Sequence, residues 1–373
     1  MKDRIGKKGV VSLTVLGVVL VAVFAGAGII EKKQRASSMP DQTEAQSATL
    51  SEKEARLAET EIWTDENTVY FDGELYGFDH RIENYLFIGT DNSDKIEGAT
   101  TGAMADFLLL MVIDHTDDRY GFLQIDRNTV TEIEMLNDKG EPADIDDLQI
   151  CTVHAYGTDP VQSAENTVEA TRNLLGELEH IDGYYVLNVA SVGTLNALVG
   201  GVDVTVPVDM TVEDPAMKKG ATLKLTDAQA ETFVRSRMAL SDDTNAGRMA
   251  RQRIYMNSFL KKALEKIRIQ PGFVNTLWNT MQDEAVTNMS AGDLSRIAEA
   301  MRSNENLGIL TLEGETRIGT ILGDGEKHEE FYPTTTSLVE TMTELFALEH
   351  IEEEDDTEED TEDDEDDTED EAE

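Results

Sequence analysis

Hydrophobic and polar positions fall into four regimes along the chain. Val10 to Ile30, VVSLTVLGVVLVAVFAGAGII, is apolar and uncharged, and at about 1.5 Å per helical residue it spans a hydrocarbon core of about 30 Å. From Glu31 to about Asp79 the chain turns polar, and QRASSMPDQTEAQSATLSEKEARLAETEIW reads as a stalk that becomes helical near Ser51. Short apolar runs then recur: NYLFIGT, DFLLLMVID, YGFLQID, GYYVLNV and VDVTVPV predict strands. Between them SAENTVEATRNLLGEL and VASVGTLNALVGG predict helices, the second stopped by a glycine pair. Alternating strands and helices predict a layered α/β domain. After Ile267, MSAGDLSRIAEAMRSNENLGILTLEGETRIG predicts a helix then a strand, and HEEFYPTTTSLVETMTELF a last helix packing back.

The fourth regime is charge alone. Glu352 to Glu373 holds 18 acidic residues among 22, the others being Thr and Ala, a composition that buries no apolar surface and is expected to be disordered. Without it the net charge rises from -45 only to -27, which excludes sequence-independent nucleic-acid binding, since that relies on cations meeting phosphates. The opening MKDRIGKK carries Lys2, Arg4, Lys7 and Lys8. Basic residues before an apolar run too long for an ordinary signal-peptide core predict a retained anchor, with the N-terminus cytoplasmic and the body outside. The expected boundaries are a basic N-terminus 1–9, a transmembrane signal anchor 10–30, an extracellular stalk 31–79, a folded body 80–348 and an acidic tail 349–373. One cysteine, Cys151, permits no internal disulfide and is read as buried and inert.

Against this acidity the arginines of FVRSRMALSDDTNAGRMARQ, Phe233 to Gln252, are concentrated. With TFVRSR as a strand, Arg235 and Arg237 leave on one face as a paired clamp. A helix then opens near Asn245, its expected cap, and sets Arg248, Arg251 and Gln252 on one face at i, i+3 and i+4. The spacing serves two readings equally: surface salt bridges with the surplus carboxylates, or a phosphate or pyrophosphate site near a helix N-terminus.

In order along the chain stand IGTD with Asp91, MADFLLLMVI with Asp106, IDRNT with Arg127, GGVDVTV from Gly200, VRSR and GRMARQ. This series resembles the LytR-CpsA-Psr cell-wall ligases over roughly Asn84 to Ile267. The resemblance implies a central mixed β-sheet flanked by helices, behind an N-terminal transmembrane helix, on the outer face of the plasma membrane. It implies a phosphotransferase that moves a glycopolymer from a polyprenyl pyrophosphate carrier to a peptidoglycan hydroxyl and releases polyprenyl phosphate. By motif match Arg127, Arg235, Arg237 and Arg248 are the catalytic residues, Arg251 and Gln252 bind substrate, and Asp91 and Asp106 hold Mg²⁺ or Mn²⁺. The carrier's hydrocarbon chain is expected in an apolar tunnel that DFLLLMVI is apolar enough to line.

Three positions depart from the family pattern. Its Arg-Ser-Asp is Met104-Ala105-Asp106 here, its Arg-Asp-Thr is Arg127-Asn128-Thr129, and its Asp-Phe-Gly-Arg is Asn245-Ala246-Gly247-Arg248. Asn128 and Asn245 can orient a guanidinium but cannot take a proton, which leaves Asp126, Asp242 and Asp243 as replacement acids. His154 and Tyr156 stand in a segment often close to the site in the family, although a buried structural histidine is the simpler reading. The departures keep two other functions in view: a polyprenyl-pyrophosphate-binding envelope protein without transfer, and a lipid pyrophosphatase.

Overall fold

The computed structural model describes residues 63–91, 103–136, 142–237, 240–242, 244–270, 272–281 and 284–352. The anchor, most of the stalk, the acidic tail from residue 353 on and Asp243 lie outside the described residues. Among the described residues no helix is long and apolar enough to cross a membrane.

A hairpin of β1 (Thr68–Phe71) and β2 (Glu74–Gly77) leads into three long strands, β3 (Ile82–Asp91), β4 (Met104–Asp114) and β5 (Arg119–Ile125). A second hairpin, β6 (Val130–Leu136) and β7 (Pro142–Gln149), precedes helices α1 (Ile150–Val153) and α2 (Pro160–Leu174). Next come β8 (Gly183–Asn188), α3 (Ser191–Val199), β9 (Asp203–Thr205), β10 (Thr222–Lys224), α4 (Asp227–Arg235), α5 (Asn245–Ile269) and α6 (Phe273–Met281). The chain closes with β11 (Val286–Thr287), α7 (Ala291–Ser303), β12 (Glu305–Thr311), β13 (Gly314–Gly319), β14 (His328–Pro333), α8 (Thr335–Phe346) and β15 (Glu349–His350).

The central sheet runs β11-β8-β3-β4-β5-β12. It is mixed: β3 pairs parallel with β8 and β5 with β12, while β4 runs antiparallel between β3 and β5. Both faces are covered, which is why β4 reads as an unbroken apolar run. Leu109, Met111 and Ile113 pack with Leu195, Phe233, Tyr255 and Phe259 beneath α3, α4 and α5. Leu108, Leu110 and Val112 pack on the other face against Ala164 and Leu174 of α2 and Met342 and Phe346 of α8. Each such fully buried side chain contributes about 1.5–3 kcal/mol.

Three expectations change. The folded body begins before residue 80, because Val69 and Phe71 of β1 are buried in the second of these cores. It also runs past residue 348, since β15 pairs with β2. TFVRSR is not a strand: Thr226 and Gln229 form a reciprocal capping box that starts α4, and the helix continues through Arg235. Of VDVTVPV only Asp203–Thr205 is strand, in a small sheet with β10.

Candidate functional site

One end of the sheet gathers the chemistry. The ends of β3 and β5 and the beginning of β4 meet there, at the carboxyl ends of the parallel strands where open α/β sheets form their crevices. Asp91 closes β3 opposite Met104. A Cβ on Gly89 would come within 2.9 Å of Phe107 Cβ, so the glycine two residues before Asp91 is what lets Phe107 lie across the strand. Asp106 sits at the start of β4 and Arg127 two residues past β5.

Asp106 is the hub. Its Oδ1 accepts from Arg127 Nη1 and pairs with Arg248 Nη1 at 3.4 Å. Arg127 Nη2 donates to two sulfurs, Met104 Sδ at 3.0 Å and Cys151 Sγ at 3.1 Å. Met104, where the family pattern has arginine, is thus an acceptor rather than a cation. Cys151 is fully buried, and burial pushes its thiol up against the opposing pull of Arg127. An unexposed protonated thiol is no nucleophile.

Asp91 pairs with Arg235 Nη2 at 2.7 Å, and Arg235 Nη1 also reaches Glu231 Oε1 at 3.4 Å. Arg235 arrives from the end of α4, so it does not form the strand clamp expected with Arg237. Arg237 lies two residues beyond that helix, partly buried. Burial lowers the affinity of Arg248 for its proton; Asp106 opposes this and the charges of Arg127 and Arg237 add to it. A guanidinium nonetheless stays charged, so Arg248 is a cation held among cations.

The long helix α5 starts differently from expectation and splits its expected face. Thr244, not Asn245, is the cap, accepting from Gly247 N. Asn245 is the first helical residue and is fully buried; its Nδ2 donates to Asp126 Oδ1 at 2.5 Å and its Oδ1 accepts from Arg248 Nη2 at 2.6 Å. Arg248 and Gln252 line the cleft, but Arg251 does not. Arg251 is wholly buried and turned to α4, donating to Phe233 O at 3.2 Å, to Ser236 O and to both oxygens of Asp242 at 3.1 and 3.0 Å. Gln252 Nε2 reaches Val234 O at 3.4 Å, and its Oε1 accepts from Gln124 Nε2 at 3.0 Å. These two side chains occupy carbonyls that the end of α4 leaves open. Arg251 therefore caps the end of α4 and faces away from the cleft.

Of the replacement acids, Asp242 is engaged by Arg251. Asp126 is partly buried, and burial pushes its carboxyl above the usual range while the Asn128 N–H (2.8 Å) and Asn245 pull it back. His154 is buried with Nδ1 3.0 Å from Thr167 Oγ1, and burial lowers it to about 4. It is a structural histidine, neutral near pH 7.

Below the charged mouth the cleft is apolar. It contains about 700 Å³ of empty space, its open side included, and Phe107, Leu187, Val192, Leu195, Tyr255 and Met256 line it together with Asp91, Asp106, Arg235 and Arg248. From DFLLLMVI only Phe107 lines it beside Asp106; the rest of that strand is core. Sequence reasoning missed the contribution of α3, of Glu329 on β14, whose Oε2 accepts from Asn245 N at 3.3 Å, and of Tyr255 and Met256. The last two were readable as the next turn of helix after Gln252.

The fold and site thus define a mixed α/β domain with a cleft that is arginine-rich at its mouth and apolar within. The chain belongs to the LytR-CpsA-Psr family, whose model matches residues 42–346. No curated protein matches it. Among solved structures it is similar to protein gbs0355 from Streptococcus agalactiae, at 17% identity and TM-score 0.57, covering 73% of this chain and 90% of that one. A protein from Enterococcus faecalis titled a transcriptional regulator, EF0465, gives 18% identity and TM-score 0.51 over 71% and 86% of the two chains. TagT bound to LI-WTA gives 18% identity and TM-score 0.50 over 71% and 89%. At these identities the likeness is one of fold.

Proposed function

We propose that this protein is a cell-wall glycopolymer transferase, the general role of its family, and that its donor is a polyprenyl pyrophosphate glycan and its acceptor a peptidoglycan hydroxyl. The observation that carries the reading is the two-part cleft: guanidinium groups at the mouth suit a pyrophosphate, and the apolar depth suits the carrier's hydrocarbon. TagT, of the same fold, was solved with LI-WTA bound.

In the reaction the acceptor oxygen bonds to the phosphorus that carries the glycan. The bridging P–O bond breaks, its electron pair stays on the departing polyprenyl phosphate, and the hydroxyl proton passes to that phosphate or to solvent. Arg127, Arg235 and Arg248 neutralise the charge that develops on the leaving oxygen, the kind of contribution that amounts to about 10²–10³ in rate per donor. Arg237 adds to the same positive field. Asp91 and Asp106 both line the cleft and offer only oxygen, the donor set a hard divalent cation prefers. They are the residues that would hold Mg²⁺ or Mn²⁺, which supplies further positive charge to the phosphates when bound. The anchor and an outward-facing body belong to the same reading, because donor and acceptor meet at the outer membrane surface.

One observation favours a second reading, retention of lipid without transfer: asparagine occupies two positions, 128 and 245, where the family pattern has acids. The test incubates the protein with a labelled polyprenyl-pyrophosphate oligosaccharide, a peptidoglycan oligomer and Mg²⁺, beside a chelated sample and an Arg235→Ala, Arg237→Ala variant. A phosphodiester-linked adduct that needs metal and both arginines supports the transferase. Unchanged bound lipid selects the second reading, and free phosphate selects hydrolysis.

A further inference from the structure

Two acids of the family pattern are asparagines in this chain, and an acid, Asp126, stands directly before Arg127. Asp126 lies between the two substituted positions. Its Oδ1 accepts from the backbone N–H of Asn128 at 2.8 Å and from Asn245 Nδ2 at 2.5 Å. The far side of the same amide accepts from Arg248 Nη2 at 2.6 Å. Only one orientation of the Asn245 amide serves both neighbours, because an ionised carboxylate only accepts and a guanidinium only donates. The amide therefore turns the carboxylate's acceptor into an acceptor aimed at the arginine. An aspartate at 245 would instead face Asp126 carboxylate to carboxylate at hydrogen-bond distance, a like-charge pair that one proton must relieve. Asp126 and the amide at 245 are thus chemically matched.

From this arrangement we infer that Asp126 is a positioning residue of the transfer site, acting through Asn245 to hold the Arg248 guanidinium toward the bound pyrophosphate in place of the acid missing at 245. It rests on the pyrophosphate-binding part of the reading above. Among the described residues the other side chain that holds Arg248 is Asp106, at 3.4 Å, which it shares with Arg127. Among the described residues its Nε is buried without a hydrogen-bond partner, so the contact from Asn245 is its shortest anchor.

The test is an exchange of the two residues in the full chain, with affinity for geranylgeranyl pyrophosphate as the readout and geranylgeraniol as the uncharged control. Asp126→Asn keeps an oxygen for both donors but removes the charge, and Asn245→Asp creates the opposed pair. Each single variant is expected to weaken geranylgeranyl pyrophosphate binding by about tenfold or more, the scale of a hydrogen bond to a charged group. The double variant restores one carboxylate beside Arg248 and is expected to recover most of that loss. Binding of geranylgeraniol, which meets only the apolar depth, should hold throughout. If Asn245→Asp fails to fold, Asn245→Ala and Asp126→Asn replace it, and their combined loss should fall well short of the product of the two.

A double variant no better than its weaker parent overturns the relay, as does Asp126→Asn binding like the wild type or equal losses with geranylgeraniol. Wild-type protein that binds the pyrophosphate without transferring it removes the transferase and leaves the relay standing. Wild-type protein that binds neither lipid overturns both.

Discussion

Replacing Arg251 with methionine separates scaffold from site inside a single arginine-rich motif. The substitution keeps most of the side chain's volume while removing every hydrogen bond it makes. Two of those go to carbonyls at the end of α4, Phe233 O and Ser236 O, and hydrogen bonds from a charged donor contribute about 1.5–3 kcal/mol each. The third partner, Asp242, keeps 32% of its side-chain surface exposed, so its pairing with Arg251 is discounted for solvent screening. The expected loss of stability is about 3–5 kcal/mol, in line with breaking a buried charged interaction. For a domain of this size that corresponds to a fall in Tm of roughly 6–15 °C. Urea or thermal denaturation followed by circular dichroism measures it. Because α4 presents Arg235, the variant should also bind pyrophosphate less well, with full recovery at low temperature where the fold is intact. Unchanged stability together with lost binding would refute the capping role and return Arg251 to the ligand.

Arg248→Lys should reduce transfer by about 10² even in folded protein, because a lysine cannot contact Asp106, Asn245 and a phosphate together through a planar fork; steady-state rates against a thermal-shift control decide it. A pH-dependent contribution to stability is expected from the far end of the sheet. The hydrogen bond that His80 donates to Asp114 raises His80 more than burial lowers it, whereas burial of Asp114 is outweighed by His80, the Thr116 and Asp117 N–H groups and Arg119, leaving that carboxyl below its usual range. The His80 contribution is full below the ordinary imidazole range and is lost as pH rises through its raised value; the Asp114 contribution is lost as pH falls through its lowered one. Unfolding free energies across pH should show this plateau, and His80→Gln should remove its alkaline edge.

The long strands were legible because burial on both faces leaves an uninterrupted apolar run, as in DFLLLMVID. Asp91, Asp106, Arg235, Arg248 and Gln252, which line the cleft, were singled out by the order of motifs that resembles the family, since spacing alone served surface salt bridges equally. What failed was local. In VRSR the alternation of two arginines imitates strand spacing, but TDAQ upstream is a helix-start signal that outranks it. The first hairpin was hidden in polar surroundings although it carries an Asp-Gly turn, Asp72 and Gly73 both at positive φ, between TVYF and ELYG. That Arg251 turns from the cleft was not readable, because helical spacing states which residues share a stripe but not how wide the cleft is. Three residues after Arg248 and directly before Gln252 on α5, Arg251 goes to the side that packing against α4 decides.

The small sheet β1-β2-β15 has a topological consequence. It joins the first strand of the described body to the last, and Ile351 N continues the contact by donating to Leu75 O at 2.9 Å. Entry and exit of the chain therefore share one pole. A tether grafted after residue 352 would hold the cleft at nearly the same attitude as one placed before residue 63, and a short peptide joining the two ends would yield a circularly permuted protein with its cleft undisturbed.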